Sequence, residues 1–381
     1  MAESDIGSTT KGPGRQKPSR PLGALMSDLE SAISLGQRYL VTQADTEFVE
    51  ARHEMVFPRW AGFRSTIERQ SSDIFARAVL GSLCLDLAEI AADRPQAAWI
   101  ELARREADYV AGARLADRDG GWSYFPDLPE LPPDLDSLSA VLYLFSRSAS
   151  QHLPLCEEPI RWALADQATD GSLKTWIVAP TNPPAQKELM HRGIKRFWGN
   201  AVDVEVCARF LLALEAMDSI RFADAIHRGA EFIRSQQQPS GLWTATWYWG
   251  EIYGTALCLH LLRKLAAAET AVSRAVDAVC RLQREDGGWG IWESVSLDTA
   301  LAIWVIIQFS DPEPHGRLIR AVSLLLQHQA LDGSWPASPW IKMNVGRATG
   351  RTSNTLTYQS RTVTTAFALR SLMQVRQRCE R

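Results

Sequence analysis

Asp286-Gly287-Gly288-Trp289 reads as a tight turn that ends on a large aromatic residue. Ser240-Gly241-Leu242-Trp243 stands 46 residues before it, and Asp332-Gly333-Ser334-Trp335 stands 46 residues after it. Asp119-Gly120-Gly121-Trp122 is an earlier copy, and Asp170-Gly171-Ser172-Leu173, with Trp176 close by, is a worn one. A fixed period of roughly 20–50 residues is the mark of a fold that stacks one supersecondary unit.

Each copy has a helical pattern on both sides. The helix before the turn is amphipathic, and the last three of these end in Gln: Gln236 to Gln238, Gln283, and Gln327 with Gln329. The helix after it is apolar nearly all round, as in Ala256-Leu257-Cys258-Leu259-His260-Leu261-Leu262, the pattern of a buried helix. Outer helices are predicted near 27–43, 96–115, 157–167, 221–237, 270–283 and 315–329. Their inner partners are predicted near 73–87, 134–145, 203–216, 251–265, 296–309 and 358–373. The fold class is therefore all-α: an α6/α6 toroid of six helical hairpins. Six hairpins are enough to close a ring, and an open stack is the competing geometry. A single toroid spans 26–376, with an N-terminal tail at 1–25 and a short C-terminal tail at 377–381. The connections 44–72, 175–200 and 336–357 are long, and all of them join an outer to an inner helix. They crowd one rim, and long loops in a compact domain are often functional.

Composition narrows the function classes. The chain has 381 residues, 46% hydrophobic and 22% charged, with a net charge of -3 and no block of like charge. That gives no support to a nucleic-acid partner. Six scattered Cys without a CxxC suggest reduced thiols and a cytoplasmic setting. No apolar run reaches the about 18 residues of a spanning helix. Met1 to Pro21 lacks the apolar stretch of a signal peptide. Fourteen Trp is an excess, and they gather in the loops.

The second connection ends in Leu131-Pro132-Pro133-Asp134-Leu135-Asp136-Ser137-Leu138. Two prolines stop what precedes, and two acids then open an apolar helix. By itself this is an N-cap, Asp134, and a dipole partner, Asp136. The same two residues also make a carboxyl pair able to hold a proton at neutral pH if buried. Other acids open inner helices too: Asp73, Asp203, Glu205, Glu251 and Asp298.

The Gln…Gly-x-Trp copies resemble the QW repeat of terpenoid cyclases. Trp247-Tyr248-Trp249-Gly250-Glu251-Ile252-Tyr253-Gly254 is similar to a squalene–hopene cyclase segment, and Asp134-Leu135-Asp136-Ser137 falls where class II cyclases carry their DxDD acid motif. The resemblance implies a class II-like terpene cyclase of one toroid, with proton-initiated cyclisation of a linear prenyl substrate, C15 to C20 with a diphosphate. It makes Asp136 the general acid, tuned by Asp134. Ser137 departs from the motif, as does the oxidosqualene branch at that position. The resemblance requires no cofactor; Mg²⁺ with a diphosphate stays open, and no protein metal ligands are expected.

Aromatic faces attract a carbocation by about 0.5–2 kcal/mol each. The candidate substrate wall is Trp122, Tyr124, Trp198, Trp247, Trp249, Tyr253, Trp292, Trp340 and Tyr358. Arg192, Lys195, Arg196, Lys342 and Arg347 are candidates for a diphosphate at the mouth. Trp243, Trp289 and Trp335 read as structural. An isoprenoid small molecule is the expected partner; a peripheral membrane contact, a homo-oligomer and a second subunit stay open. The rival readings are a non-catalytic toroid that binds an isoprenoid lipid or a protein and, lower, a prenyltransferase, for which no Asp–Cys–His set stands at the loop ends. A carbohydrate-active α/α barrel would not explain the repeats.

Overall fold

A computed structural model describes residues 25–63, 68–91, 95–115, 121–199, 201–265, 268–309, 315–345 and 354–380. The outer helices are α1 (Met26–Asp45), α3 (Pro95–Gly112), α5 (Glu157–Ala165), α8 (Ala223–Ser235), α10 (Glu269–Arg281) and α12 (His315–His328). The inner ones are α2 (Ile74–Ile90), α4 (Leu135–Ser148), α7 (Val204–Asp218), α9 (Ile252–Leu262), α11 (Ser296–Phe309) and α13 (Arg361–Glu380). The hairpins alternate as the sequence pattern predicts. In α10 the buried residues are Ala271, Ala275, Val276, Ala278 and Val279, one stripe of a 3.6 period. In α11 every residue from Ser296 to Ile306 is buried, because the helix is surrounded.

The repeat residues tie the ring together. Gln237 Nε2 donates to Gly241 O and to Ala271 O of the next outer helix, both at 2.8 Å. Gln283 does the same with Gly287 O and Arg317 O, both at 2.8 Å. Gln329 donates to Gly333 O and to Ala32 O of α1, both at 2.9 Å, which closes the ring. The closure requires glycine at Gly333: its φ is +88°, and a Cβ there would stand 2.3 Å from Leu35 O of α1. Each repeat indole is buried and gives its N–H to the outer helix before it. Trp243 bonds Ile233 O, Trp289 bonds Val279 O and Trp335 bonds Leu325 O, all at 2.7 Å. Their backbone amides bond Thr255, Thr299 and Thr365 of the following inner helices.

The framework is all-α, and the long connections add structure where open loops were expected. The first holds β1 (His53–Val56) and β2 (Arg69–Ser72), paired antiparallel with His53 opposite Ser72. The third holds α6 (Pro184–Gly193) and a π turn, Ile194–Trp198. The sixth holds β3 (Ser338–Val345) and β4 (Asn354–Ser360), also antiparallel. Tyr248 of the fourth connection pairs with Ile341 of β3, so these segments form one cover over the inner-helix N-termini. The final helix continues to Glu380, so 377–380 is helical where a tail was expected. Of the tail expected at 1–25, residues 1–24 lie outside the described residues.

Candidate active site

Asp134 opens α4 as the sequence suggests. It has extended backbone (φ -129°, ψ 152°), and Oδ1 accepts the N–H of Ser137 at 2.7 Å. Its Oδ2 accepts the Ser137 hydroxyl at 2.9 Å and the Tyr124 N–H at 3.0 Å. The residue that departs from the acid motif, Ser137, is thus the one that holds Asp134. Burial lifts the Asp134 pKa to about 7, against the pull of the Ser137 amide and with the push of Asp136.

Two residues on, in the first turn of the helix, Asp136 has different company. Arg209 of α7 brings Nε to 2.8 Å from Oδ1, an ion pair without hydrogen-bond alignment. The Tyr248 hydroxyl donates to Oδ2. Burial raises the Asp136 pKa, Arg209 and the Tyr248 hydrogen bond lower it, Asp203 raises it again, and the net shift is upward. Arg209 also donates to the hydroxyls of Tyr253 and Tyr248 and lies 5.2 Å from the Phe75 ring centroid. Burial opposes its charge, and Tyr248, Tyr253 and Asp136 outweigh that.

Above this pair is a cavity of about 40 Å³ lined by Phe75, Tyr124, Phe125, Trp176, Trp198, Trp247, Tyr248 and the two acids. Below it all six inner helices line an axial lumen of about 110 Å³, with Val79, Ala140, Leu212, Ala256, Leu301 and Phe367 around it. Arg209 and Tyr253 lie on the lumen, whereas Asp136 and Tyr248 lie on the upper cavity. The acid network is therefore the partition between the two.

The structure gathers some expected wall residues and disperses others. Tyr124, Trp198 and Trp247 line the acid cavity. Trp340 stands behind Phe75, with centroids 5.4 Å apart, and Tyr253 reaches Arg209. Tyr358 stacks on His53 at 4.6 Å and donates to Ala51 O, bracing the cover. Trp122 is corrected: it is fully buried and donates to Val110 O at 2.7 Å, the same bond as the repeat indoles. Trp249 and Trp292 are corrected too. They pack edge to face on the outer rim, centroids 5.4 Å apart, and Trp292 is 76% exposed.

The basic residues form no single cluster. Lys195 and Arg196 are exposed on the π turn, and Arg192 ends α6. Lys195 faces an outer groove of about 470 Å³ with Lys174 and His191, on the far side of Trp176. Lys342 on β3 donates to Ala245 O at 3.3 Å. Arg347 lies outside the described residues. Among the described residues, no group of three or more His, Cys, Asp or Glu could hold a metal ion. No helix among them is long and apolar enough to cross a membrane.

Arg209 was not singled out from the sequence, although a signal was present. A lone Arg inside Cys207-Ala208-Arg209-Phe210-Leu211-Leu212 is costly unless a buried acid meets it. Phe75 was missed as well, since nothing local separates a wall residue from a core one.

A closed α/α toroid with a buried acid pair under an aromatic cover defines a class of protein. The sequence places this chain in it: the chain belongs to the family of the squalene–hopene cyclase C-terminal domain, whose model matches residues 99–302. A copalyl diphosphate synthase of Streptomyces anulatus is 32% identical over 110 residues, covering 28% of this chain and 20% of that protein. The squalene–hopene cyclase of Bradyrhizobium diazoefficiens is 24% identical over 243 residues, 57% of this chain and 36% of that one. The chain thus spans a fifth to about a third of these relatives. Among solved structures, a variant of the type II terpene cyclase MstE from Scytonema, in complex with geranylgeranyl dihydroxybenzoate, superposes with TM-score 0.70. It is 16% identical, and the match covers 93% of this chain and 99% of that one. That likeness is one of fold.

Proposed function

We propose that this protein is a class II terpene cyclase in which Asp136 is the general acid. The observation that carries this is a carboxyl group raised in pKa by burial, aimed by Tyr248 and Arg209, at the wall of an aromatic cavity. Asp136 gives its proton to an alkene carbon. The π electrons form the new C–H bond and leave a tertiary cation. The next alkene closes the ring onto that cation. Proton loss or capture of water ends the sequence, and Asp136 then regains a proton. The faces of Trp176, Trp198 and Trp247 stabilise the cation without trapping it, each by about 0.5–2 kcal/mol. Asp134 tunes the acid and caps its helix.

The substrate is a linear prenyl compound, with C15 to C20 prenyl diphosphates the leading class. Cations of the third connection, Arg192, Lys195 and Arg196, are the residues to meet a diphosphate. The upper cavity is far below the roughly 300 Å³ of a small-molecule site. Binding has to move loop-borne walls aside, because the helical walls are packed. The Arg209 pair favours the anion, so turnover falls as pH rises through the pKa of Asp136.

The test is incubation with farnesyl diphosphate, geranylgeranyl diphosphate and squalene, each with and without Mg²⁺, followed by product analysis. Cyclised product from wild type and none from Asp136→Asn supports the reading. Binding without turnover replaces it with a non-catalytic isoprenoid-binding toroid. Full activity in Asp136→Asn ends the mechanism.

A further inference from the structure

Asp203-Val204-Glu205 opens α7 in the same register in which Asp134-Leu135-Asp136 opens α4. One acid precedes the first helical residue and the other follows it. Both acids of α7 are buried, Glu205 completely, and neither lines the upper cavity. Their bonds converge on one neighbour. Glu205 Oε1 accepts the backbone N–H of Thr246 at 2.6 Å and that of Trp247 at 2.9 Å. Asp203 Oδ2 accepts the indole N–H of Trp247 at 2.7 Å and the Thr175 hydroxyl at 2.7 Å. Trp247 is thus held at its backbone by one carboxyl group and at its ring by the other. Its indole stands edge-on to Trp176, 5.6 Å between centroids at 84°. The next residue, Tyr248, carries the hydroxyl that donates to Asp136.

We propose that Asp203 and Glu205 are positioning residues that fix the Trp247–Tyr248 segment against the acid and over the cavity. This rests on the cyclase reading of the same site. Three features favour this role over a plain helix cap. Asp203 makes no capping bond to its own helix. Glu205 bonds a segment 41 and 42 residues away. A carboxyl group on the N–H side of an indole also pushes electron density onto the ring face, which strengthens its pull on a cation. Two hairpins of the ring thus open with acid pairs of one register. The pair on α4 reaches the cavity, and the pair on α7 holds its wall.

The experiment has one arm that needs no substrate. The full chain is made with 5-fluorotryptophan, and the Trp247 line in the ¹⁹F spectrum is assigned with Trp247→Phe. Asp203→Asn keeps the side-chain shape but replaces the carboxyl acceptor of both bonds by a weaker, neutral amide. It is expected to shift the Trp247 line and leave that of Trp289 in place. Glu205→Gln keeps an acceptor for both amides and should shift it less than Glu205→Ala. If Asp203→Asn does not fold, Thr175→Val and Glu205→Gln supply the same reading from the two sides. The second arm is turnover. Asp203→Asn should lower kcat on the order of tenfold, with KM little changed, as expected for loss of part of one cation–π contact. That loss should shrink in a Trp247→Phe background, because the part carried by the ring is then already gone, leaving only the effect of the Asp203 charge on Asp136. A Trp247 line unmoved in every variant overturns the proposal, and so do losses that simply add in the double variant. If wild type turns over no prenyl substrate, the cyclase reading fails, while the spectrum still decides whether these acids hold Trp247.

Discussion

Two sets of tryptophans divide this molecule. Trp122, Trp243, Trp289 and Trp335 are fully or almost fully buried, and each N–H goes to a carbonyl of the outer helix just before it. Trp176, Trp198 and Trp247 hang from the cover, and their N–H groups go to Gly199 O, Glu130 O and Asp203 Oδ2. The first set is bonded within its own hairpin and carries the ring. The second is bonded to acceptors in the connections or at the start of an inner helix, and shapes the cavity. The destination of one N–H therefore separates a brace from a cavity wall, where residue type cannot.

The largest expected effect breaks the comparison at the cavity. Asp136→Asn should cost about 10²–10⁴ in turnover, the usual contribution of a general acid. Above the pH at which Asp136 ionises it should also lower stability, by about 3–5 kcal/mol at the upper end, because the largely buried Arg209 charge then loses its partner. Replacing Arg209 by Met in the same chain should restore the melting temperature and not the activity. Turnover and thermal melts of both variants together check this. Recovered activity would remove Asp136 from the chemistry.

Next comes the brace. Trp289→Ala should destabilise by about 3–5 kcal/mol, the range for emptying a large aromatic site, and leave the product pattern of the remaining folded enzyme unchanged. Trp247→Phe should do the opposite, altering product ratios with little change in stability. A product change from Trp289→Ala, seen by product analysis, would erase the division.

A third outcome uses an acid of the repeat region as a control for Asp136. Asp298 is 2% exposed, and burial alone lifts its pKa from 3.8 to about 7. The folded state therefore resists its ionisation. The cost is absent below about pH 4, grows between 4 and 7, and is full above 7. Asp298→Asn should raise the melting temperature at pH 8, by the equivalent of a few kcal/mol, and leave it unchanged at pH 4. Melts across that range decide it, and a gain at low pH would show that the carboxyl group is not the cause.

The smallest effect is on the outer rim. Trp292→Ala should change stability by only about 0.5 kcal/mol or less and leave turnover intact, as at most exposed sites. A measurable loss of turnover would return Trp292 to the cavity wall.

The helices were legible because their signals are local. Predicted 27–43 became Met26–Asp45, and predicted 203–216 became Val204–Asp218. The two hairpins of the cover were not read, although Ile341-Lys342-Met343-Asn344-Val345 and Thr355-Leu356-Thr357-Tyr358 alternate as strands do. Short alternation inside long polar connections is a weak signal until a partner strand is in view. Trp122 was legible in principle, since it follows Gly-Gly as Trp289 does, but its place in a rim loop outweighed the repeat.

From its order of residues alone, this chain specified the six hairpins, the recurring Gln…Gly-x-Trp turns and the acid pair at the start of α4. Each of these rests on helical period, turn geometry or capping within a few neighbouring residues. Tertiary structure decided the rest. It brought Tyr248 onto Asp136 across 112 positions of sequence, set Arg209 beside the same carboxyl group, and tied Trp247 to Asp203 across 44. The physical reason is that the charge state of a buried acid and the orientation of a ring depend on neighbours in space. Those neighbours come together only when the second, third and fourth hairpins pack side by side.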